Sequence, residues 1–267
     1  MSAAAHDEWL VEVRGVTRRF GGLLAVDAVD LAVRRGSVHG LIGPNGAGKT
    51  TLLNLIAGVY RVSNGLLRFA AQDITRHSTA KRARAGIRRT FQNLKLFGEM
   101  TALENVAIGL HAQTHAGFFD AVLSSPRHRR EERSIRDRSM AVLHFVGLAD
   151  LAQARADSLA YGHRRLLEIA RAIVSRPALL LLDEPAAGLN VTEAAHVSDL
   201  IARIRDDGTT VVLVEHHMDV VMRVSDEITV LNYGRSLAHG TPAQIQEHPA
   251  VIEAYLGRAG ETDGAQA

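Results

Sequence analysis

No cysteine occurs among the 267 residues. That excludes disulfides, thiolate metal sites and cysteine nucleophiles together, and it fits a reducing compartment. Long apolar runs are missing too. No stretch approaches the ~20 consecutive residues that a membrane helix requires, so the chain is expected to dock on a membrane at most, not to span one. The start, Met1-Ser2-Ala3-Ala4-Ala5-His6-Asp7-Glu8, offers neither a basic segment nor an apolar core and gives no secretory signal. Excess charge is small: Lys+Arg 31 against Asp+Glu 29 leaves a formal net charge of +2. A balance this even calls for no nucleic-acid or anionic-membrane partner. Internal repeats and low-complexity tracts are absent. Lysine is scarce: Lys49, Lys81 and Lys95 stand against many arginines.

One of those lysines lies in Gly43-Pro44-Asn45-Gly46-Ala47-Gly48-Lys49-Thr50-Thr51, which reads G-x-x-x-x-G-K-T. Val38-His39-Gly40-Leu41-Ile42 ahead of it suits a buried strand. Leu52–Ala57 behind it suits a helix. That strand–loop–helix setting is what a phosphate-binding loop needs. Glycines let backbone N–H groups converge on one point, and the helix N-terminus adds partial positive charge. In this arrangement Lys49 reaches the β- and γ-phosphates and the Thr50 hydroxyl ligates Mg²⁺. The competing interpretation is a glycine-rich turn with a chance lysine.

Elsewhere, Trp9–Val13 and Leu31–Val33 alternate as half-buried strands around a turn at Gly21-Gly22. Leu66–Phe69 reads as a strand, Thr79–Ala85 as a short helix, and Thr90-Phe91 as a strand end with Gln92 just after it. From about 94 to 157 apolar residues recur at helical spacing (Leu103, Val106, Ala107, Leu110, then Met140, Leu143, His144, Val146, Leu148), which predicts a helical insert in a nucleotide-binding core. Strand and helix then alternate again. An amphipathic helix covers His163–Ser175 with Leu166, Leu167, Ile169, Ala170 and Ile173 on its apolar side. Ala178–Leu182 and Thr209–Val214 are buried strands, Thr192–Arg205 and Met218–Val224 helices, and Glu227–Leu231 with Arg235–His239 a hairpin. Pro249 opens a last helix to about Leu256. A small, polar tail from Gly257 is expected to be disordered.

Further features narrow the phosphate loop's meaning. Leu179-Leu180-Leu181-Leu182-Asp183-Glu184 is an apolar strand ending in two carboxylates, at the place where open α/β sheets bind ligands. There Asp183 is a Mg²⁺ ligand and Glu184 a base for an attacking water; the plainer possibility is an acidic pair capping the turn at Pro185. Ser158-Leu159-Ala160-Tyr161-Gly162 precedes a helix and forms a second anion site. It is most easily explained by a nucleotide held by another subunit; the plainer possibility is an ordinary helix cap with Ser158 nearby. His216 follows a core strand and can bond a γ-phosphate or orient water. His216 and His217, being adjacent, are expected to point apart. Gln92 can reach Mg²⁺ or the water through its amide.

In their order along the chain, Gly43–Thr50, Gln92, Leu159-Ala160-Tyr161-Gly162, Leu181-Leu182-Asp183-Glu184, Gly188-Leu189-Asn190 and His216 resemble the Walker A, Q-loop, signature, Walker B, D-loop and switch-histidine elements of an ATP-binding-cassette ATPase. The resemblance covers about residues 9 to 256, and the signature separates this family from other phosphate-loop ATPases. Phe20 matches the aromatic that stacks on adenine there. The resemblance implies an α/β fold: a phosphate-loop (RecA-like) core at about 9–92 and 159–256, an N-terminal antiparallel β subdomain, and an inserted helical subdomain at about 93–158. Arg89-Thr90-Phe91-Gln92, Leu167-Glu168-Ile169-Ala170-Arg171, Pro185-Ala186-Ala187-Gly188-Leu189-Asn190 and Ala254-Tyr255-Leu256-Gly257 bring it closer to the longer ATPase of branched-chain amino-acid importers. What that implies is ATP with Mg²⁺, a second ATPase subunit facing this one, two membrane permease subunits on whose cytoplasmic side it sits, and indirectly an extracytoplasmic binding protein. No nucleic-acid partner is implied. The ATPase of a lipid or lipopolysaccharide exporter, and a soluble cassette acting on ribosomes or DNA, are the alternatives.

Departures from the family pattern are Ala160-Tyr161-Gly162-His163 where Ser-Gly-Gly-Gln is common, Asn190 for aspartate, and His217 for aspartate. They predict differently tuned hydrolysis. Three other features are discounted. His111 and His115 share a helix face but lack the glutamate of H-E-x-x-H. Arg127–Arg133 and Lys81–Arg84 read as solvated helix faces.

Overall fold

The computed structural model describes residues 8–90, 95–110 and 126–256. Strands β1 (Trp9–Phe20) and β2 (Leu23–Arg34) form a long hairpin across Gly21-Gly22. Each runs 12 residues, well beyond the short ends expected from alternation. Register shifts between Val13 and Arg19 break the inside–outside alternation, which is why the middle of the hairpin does not read as strand. After helix α1 (Lys49–Ala57), β4 (Asn64–Phe69) pairs with β1, and β5 (Gln72–Asp73) pairs with β4. The antiparallel sheet, β2-β1-β4-β5, is therefore not wholly N-terminal: two of its strands follow the phosphate-loop helix.

The second sheet contains β3 (Val38–Ile42), β6 (Ile87–Arg89), β7 (Leu179–Asp183), β8 (Thr210–Val214), β9 (Glu227–Asn232) and β10 (Arg235–Gly240), in the order β10-β9-β3-β8-β7-β6. All neighbours are parallel except β9–β10. Every residue of β3, β7 and β8 is buried, as expected of strands covered on both faces. The parallel registers bring the C-terminal ends of β3, β7 and β8 to one edge, where the loops that follow them can converge on a ligand.

The helices are α2 (Thr79–Arg84), α3 (Ala102–Ile108), α4 (Pro126–Val146), α5 (Tyr161–Ile173), α6 (Val191–Asp206), α7 (Met218–Val224), α8 (Pro242–Gln246) and α9 (Pro249–Leu256), with single 3₁₀ turns at Ala149–Leu151 and Ala156–Ser158. Thr101 and Glu104 close a capping box on α3, satisfying two amide groups at its start. Leu103, Val106, Leu110, Leu143, Val146 and Leu148 join Leu167 and Ile169 of α5 and Leu180 and Leu182 of β7 in one apolar cluster. The helical insert thus packs onto the core through α5. His144, counted with that stripe, is exposed. Helix α5 begins at Tyr161, two residues before the expected start at His163. Gly162 reads as a break, yet its missing side chain only makes room for α6: a Cβ there would lie 2.7 Å from Glu193 Oε1.

Arg82 corrects the view of residues 81–84 as a solvated face, for its side chain is only 1% exposed. Its guanidinium donates to the carbonyls of Leu55, Ile56 (2.8 Å), Ile74 (2.8 Å), Thr75 (3.2 Å) and His77 (3.1 Å). The C-terminal carbonyls of α1 have no partners within their own helix, and a cation there also suits the helix dipole. Burial lowers the Arg82 pKa to about 10, which still leaves it charged at neutral pH.

His39 on β3 is fully buried. Its Nε2 lies 2.9 Å from Thr229 Oγ1, and its ring stacks on His239 with centroids 5.7 Å apart. Burial first, and the neighbouring His239 second, press its pKa from 6.5 to about 3. The folded protein therefore keeps His39 neutral, whereas the unfolded chain takes up a proton below pH 6.5. The stability due to neutral His39 is complete above about pH 6.5 and falls by about 1.4 kcal/mol per pH unit as the pH drops towards 3. Urea midpoints measured at pH 7.5 and pH 5 should differ less in His39→Asn than in the wild type. An equal drop in both proteins would remove His39 as the cause.

Candidate nucleotide site

The phosphate loop leaves β3 at Gly43 and enters α1 at Lys49. Gly43 (φ +145) and Gly48 (φ +100) have backbones that side chains resist. A Cβ on Gly43 would sit 2.0 Å from Leu231 O, and one on Gly48 2.5 Å from Ala25 O. The loop is thus held against β9 and β2 through positions that only glycine can occupy. Asn45, Gly46 and Thr50 are exposed on its outer side, Pro44, Gly48 and Thr51 are half-buried, and Ala47 is buried. Lys49 is 6% exposed, and its Nζ donates to Gly43 O (2.7 Å) and Pro44 O (3.0 Å). Burial lowers the pKa of its ammonium, opposed by the charges of Glu184 and Asp183. Those opposing charges place the lysine and the two carboxylates in one electrostatic unit.

Asp183 ends β7 and is buried. Its Oδ2 accepts from Arg89 at 2.7 Å, while its Oδ1 is buried with no hydrogen-bond partner among the described residues. A buried carboxylate oxygen without a donor suits a divalent cation or its water, so the donor set of Asp183 and Thr50 fits Mg²⁺. Arg89 also donates to Asn54 Oδ1, and Asn54 Nδ2 donates to Thr50 O at 2.7 Å. A continuous chain therefore runs from the strand before Gln92 to both metal-site candidates. Residues 91–94 lie outside the described residues, and Gln92 with them.

Glu184 takes a left-handed backbone (φ +50), uncommon for a residue with a side chain. Backbone bonds from Glu184 N to Val214 O (2.8 Å) and from Ala187 N to Glu184 O (3.1 Å) hold it. Its Oε1 is 3.7 Å from His216 Nδ1, and the His216 side chain is half exposed. His216 and His217 do not point apart. The strand ends at Val214, so the alternation that would separate them has already stopped, and their rings lie 4.6 Å apart. Together with Glu215 they bring donor atoms within 4.8 Å of one another. Glu215, however, accepts from the N–H groups of Ala186 (2.7 Å), His216 (3.0 Å) and His217 (3.3 Å). Its buried carboxylate thus pins the Glu184 turn to the switch histidine.

Leu159 is buried and Ala160 is the N-cap of α5, with Tyr161 and Gly162 in its first turn. Ala160 and Tyr161 are exposed. Phe20 lies against Tyr60 edge-on at 5.1 Å, with the Arg18 guanidinium 4.4 Å above its ring. Tyr255 of α9 is a residue that sequence reasoning quoted without a role. Its pKa is raised by burial, an effect that the backbone of Gly43 opposes in part.

A sequence profile described as ABC transporter matches residues 26–187, which is more than half of the chain. The chain belongs to the ABC transporter ATPases. A second profile, described as branched-chain amino acid ATP-binding cassette transporter, matches residues 235–261. The chain is 47% identical to the high-affinity branched-chain amino acid transport ATP-binding protein BraF of Pseudomonas aeruginosa, covering 94% of this chain and 98% of that protein. It is 45% identical to LivG of Escherichia coli over the same shares. Among solved structures, the ADP conformation of an ATP-binding cassette superposes with TM-score 0.82 at 30% identity, covering 93% of this chain and 99% of that one. A nucleotide-free cassette superposes with TM-score 0.81 at 30% identity, covering 92% and 98%. The cassette binds and hydrolyses ATP, and among the described residues no helix is long and apolar enough to cross a membrane.

Proposed function

We propose that this cassette powers an importer of branched-chain amino acids from the cytoplasmic face of the inner membrane. The supporting observation is that the likeness to branched-chain transport ATPases runs through 94% of the chain and extends to a C-terminal segment, 235–261, outside the general cassette. In this reading two cassettes face each other, identical or paralogous. ATP lies between Lys49 and the loop Gly43–Thr51 of one and Leu159-Ala160-Tyr161-Gly162 of the other, with Phe20 against the adenine. Thr50, Asp183 and Gln92 would hold Mg²⁺, which supplies positive charge at the β- and γ-phosphate oxygens.

The chain's own groups then do the following. Lys49 exchanges its two carbonyl partners for phosphate oxygens. Glu184 takes the proton of the attacking water, and His216, 3.7 Å from it, orients that water or the γ-phosphate. Catalysis of this kind rests on positioning and charge, which accounts for how many groups the fold spends on orienting Glu184. Closure reaches two permease subunits through the Gln92 segment and the helical insert, and the permeases receive substrate from an extracytoplasmic binding protein.

The test is to co-express the chain with candidate permeases and a second ATPase from the same genome, to purify the complex and to place it in liposomes. Leucine, isoleucine or valine with the binding protein should stimulate ATP hydrolysis and be taken up. Stimulation by a lipid substrate, or by nucleic acid without permease, would assign the chain to an exporter or to a soluble cassette instead.

A further inference from the structure

Tyr161 heads α5 at a place where the proposed function gives it a role only towards the opposite cassette's nucleotide. In this structure its hydroxyl is engaged within its own chain. It donates to Ala187 O at 3.2 Å and accepts from Arg165 at 3.3 Å. Arg165 is 2% exposed and pairs with Glu168, also 2% exposed, at 3.1 Å. Residues 161, 165 and 168 follow one another along one face of the helix. A buried ion pair thus backs the tyrosine hydroxyl and fixes its direction. From the other side, Gly188 presents no side chain: a Cβ there would lie 3.2 Å from the tyrosine ring. Gly188 also has φ +76, so the loop curls around the ring at a residue that pays little for that backbone.

Ala187 is the last residue of the turn that holds Glu184. Its N–H donates to Glu184 O at 3.1 Å, and its own carbonyl takes the Tyr161 hydroxyl. Glu184 in turn sits in a left-handed backbone that persists only when its surroundings over-determine it. Three of those surroundings come from the core: Val214 O, the Glu215 carboxylate on Ala186 N–H, and the Ala187–Glu184 turn itself. The fourth comes from the helical side of the molecule, through Tyr161.

We propose that Tyr161 is a positioning residue in cis: its hydroxyl couples the signature helix to the turn that orients the same chain's Glu184. The inference rests on the assignment of Glu184 as the base. It assigns a task to the tyrosine that stands where a glycine is common in the signature. When α5 moves against the facing cassette, the pull reaches the base of its own site as well as the neighbour's phosphate.

The test uses dimers assembled from two differently tagged copies, one of which carries Glu184→Gln so that a single site turns over. Tyr161→Phe placed on the copy with the working Glu184 should lower kcat about three- to tenfold, the worth of one net hydrogen bond, with KM for ATP unchanged. The same change on the Glu184→Gln copy, where Tyr161 faces the working nucleotide in trans, should act on binding, raising KM for ATP, and lower kcat less than the cis change does. The reverse pattern, or no change in either arrangement, overturns the proposal. If the Glu184→Gln copy itself turns over at full rate, the failure belongs to the assignment of Glu184. A second readout needs no dimer. In the isolated chain Tyr161→Phe should speed hydrogen exchange of the amides of 186–189 while leaving 165–173 protected, and unchanged exchange at 186–189 contradicts the coupling.

Discussion

Glu184→Gln is expected to bind ATP as the wild type does and to turn it over at least about tenfold more slowly, since a positioned base contributes two orders of magnitude or more. The amide has the size of the carboxylate and keeps the left-handed turn, because that turn is held by backbone groups and by Glu215. What it loses is a carboxylate oxygen, 3.7 Å from His216 Nδ1, that can take a proton from water. With ATP retained and hydrolysis stalled, the variant should also accumulate as a nucleotide-bound dimer. Equilibrium titration with ATP, single-turnover phosphate release and sedimentation each check one part. Wild-type phosphate release would remove Glu184 from the role of base.

Lys49→Ala is expected to act one step earlier, on binding. The ammonium is nearly enclosed by the loop, and burial lowers its pKa while Glu184 and Asp183 oppose that shift. Its two carbonyl partners, at 2.7 and 3.0 Å, mark where it waits. A triphosphate offers charged oxygens in place of neutral ones, and charge-assisted bonds are about twice as strong. Removing the lysine should cost about 1.5–3 kcal/mol of binding, a Kd weaker by roughly 10- to 100-fold. Lys49→Arg should not restore it, because a planar fork does not replace a compact point charge in a loop closed by Gly43 and Gly48. A titration with a fluorescent nucleotide gives the answer, and an unaltered Kd in Lys49→Ala would contradict the placement of the triphosphate.

The parts of this protein that sequence made visible are those whose chemistry is local. The phosphate loop, the strand ending at Asp183 and the helix Met218–Val224 each carry their own signal, in glycine spacing, in an unbroken apolar run and in helical periodicity. Contacts made across the fold left no such trace. Arg82 looked like one more surface arginine because nothing in residues 81–84 tells that the end of α1 lies above them. Arg89 was quoted only as part of a motif, since its partners Asn54 and Asp183 are far away in the chain. The same is true of Tyr161, whose partner carbonyl is 26 residues on. His216 and His217 differ from expectation for another reason: alternation does not continue past the strand end at Val214. The long hairpin was shortened by bulges that reset its register.

Everything proposed for this cassette depends on ATP being shared between two chains. The most direct measurement is the structure of Glu184→Gln with ATP, determined at a concentration where dimers form. The account predicts a γ-phosphate held by Lys49 of one protomer and by the Ala160–Gly162 backbone of the protomer facing it. A triphosphate enclosed by a single chain, with the signature segment of any second copy turned away, would contradict it.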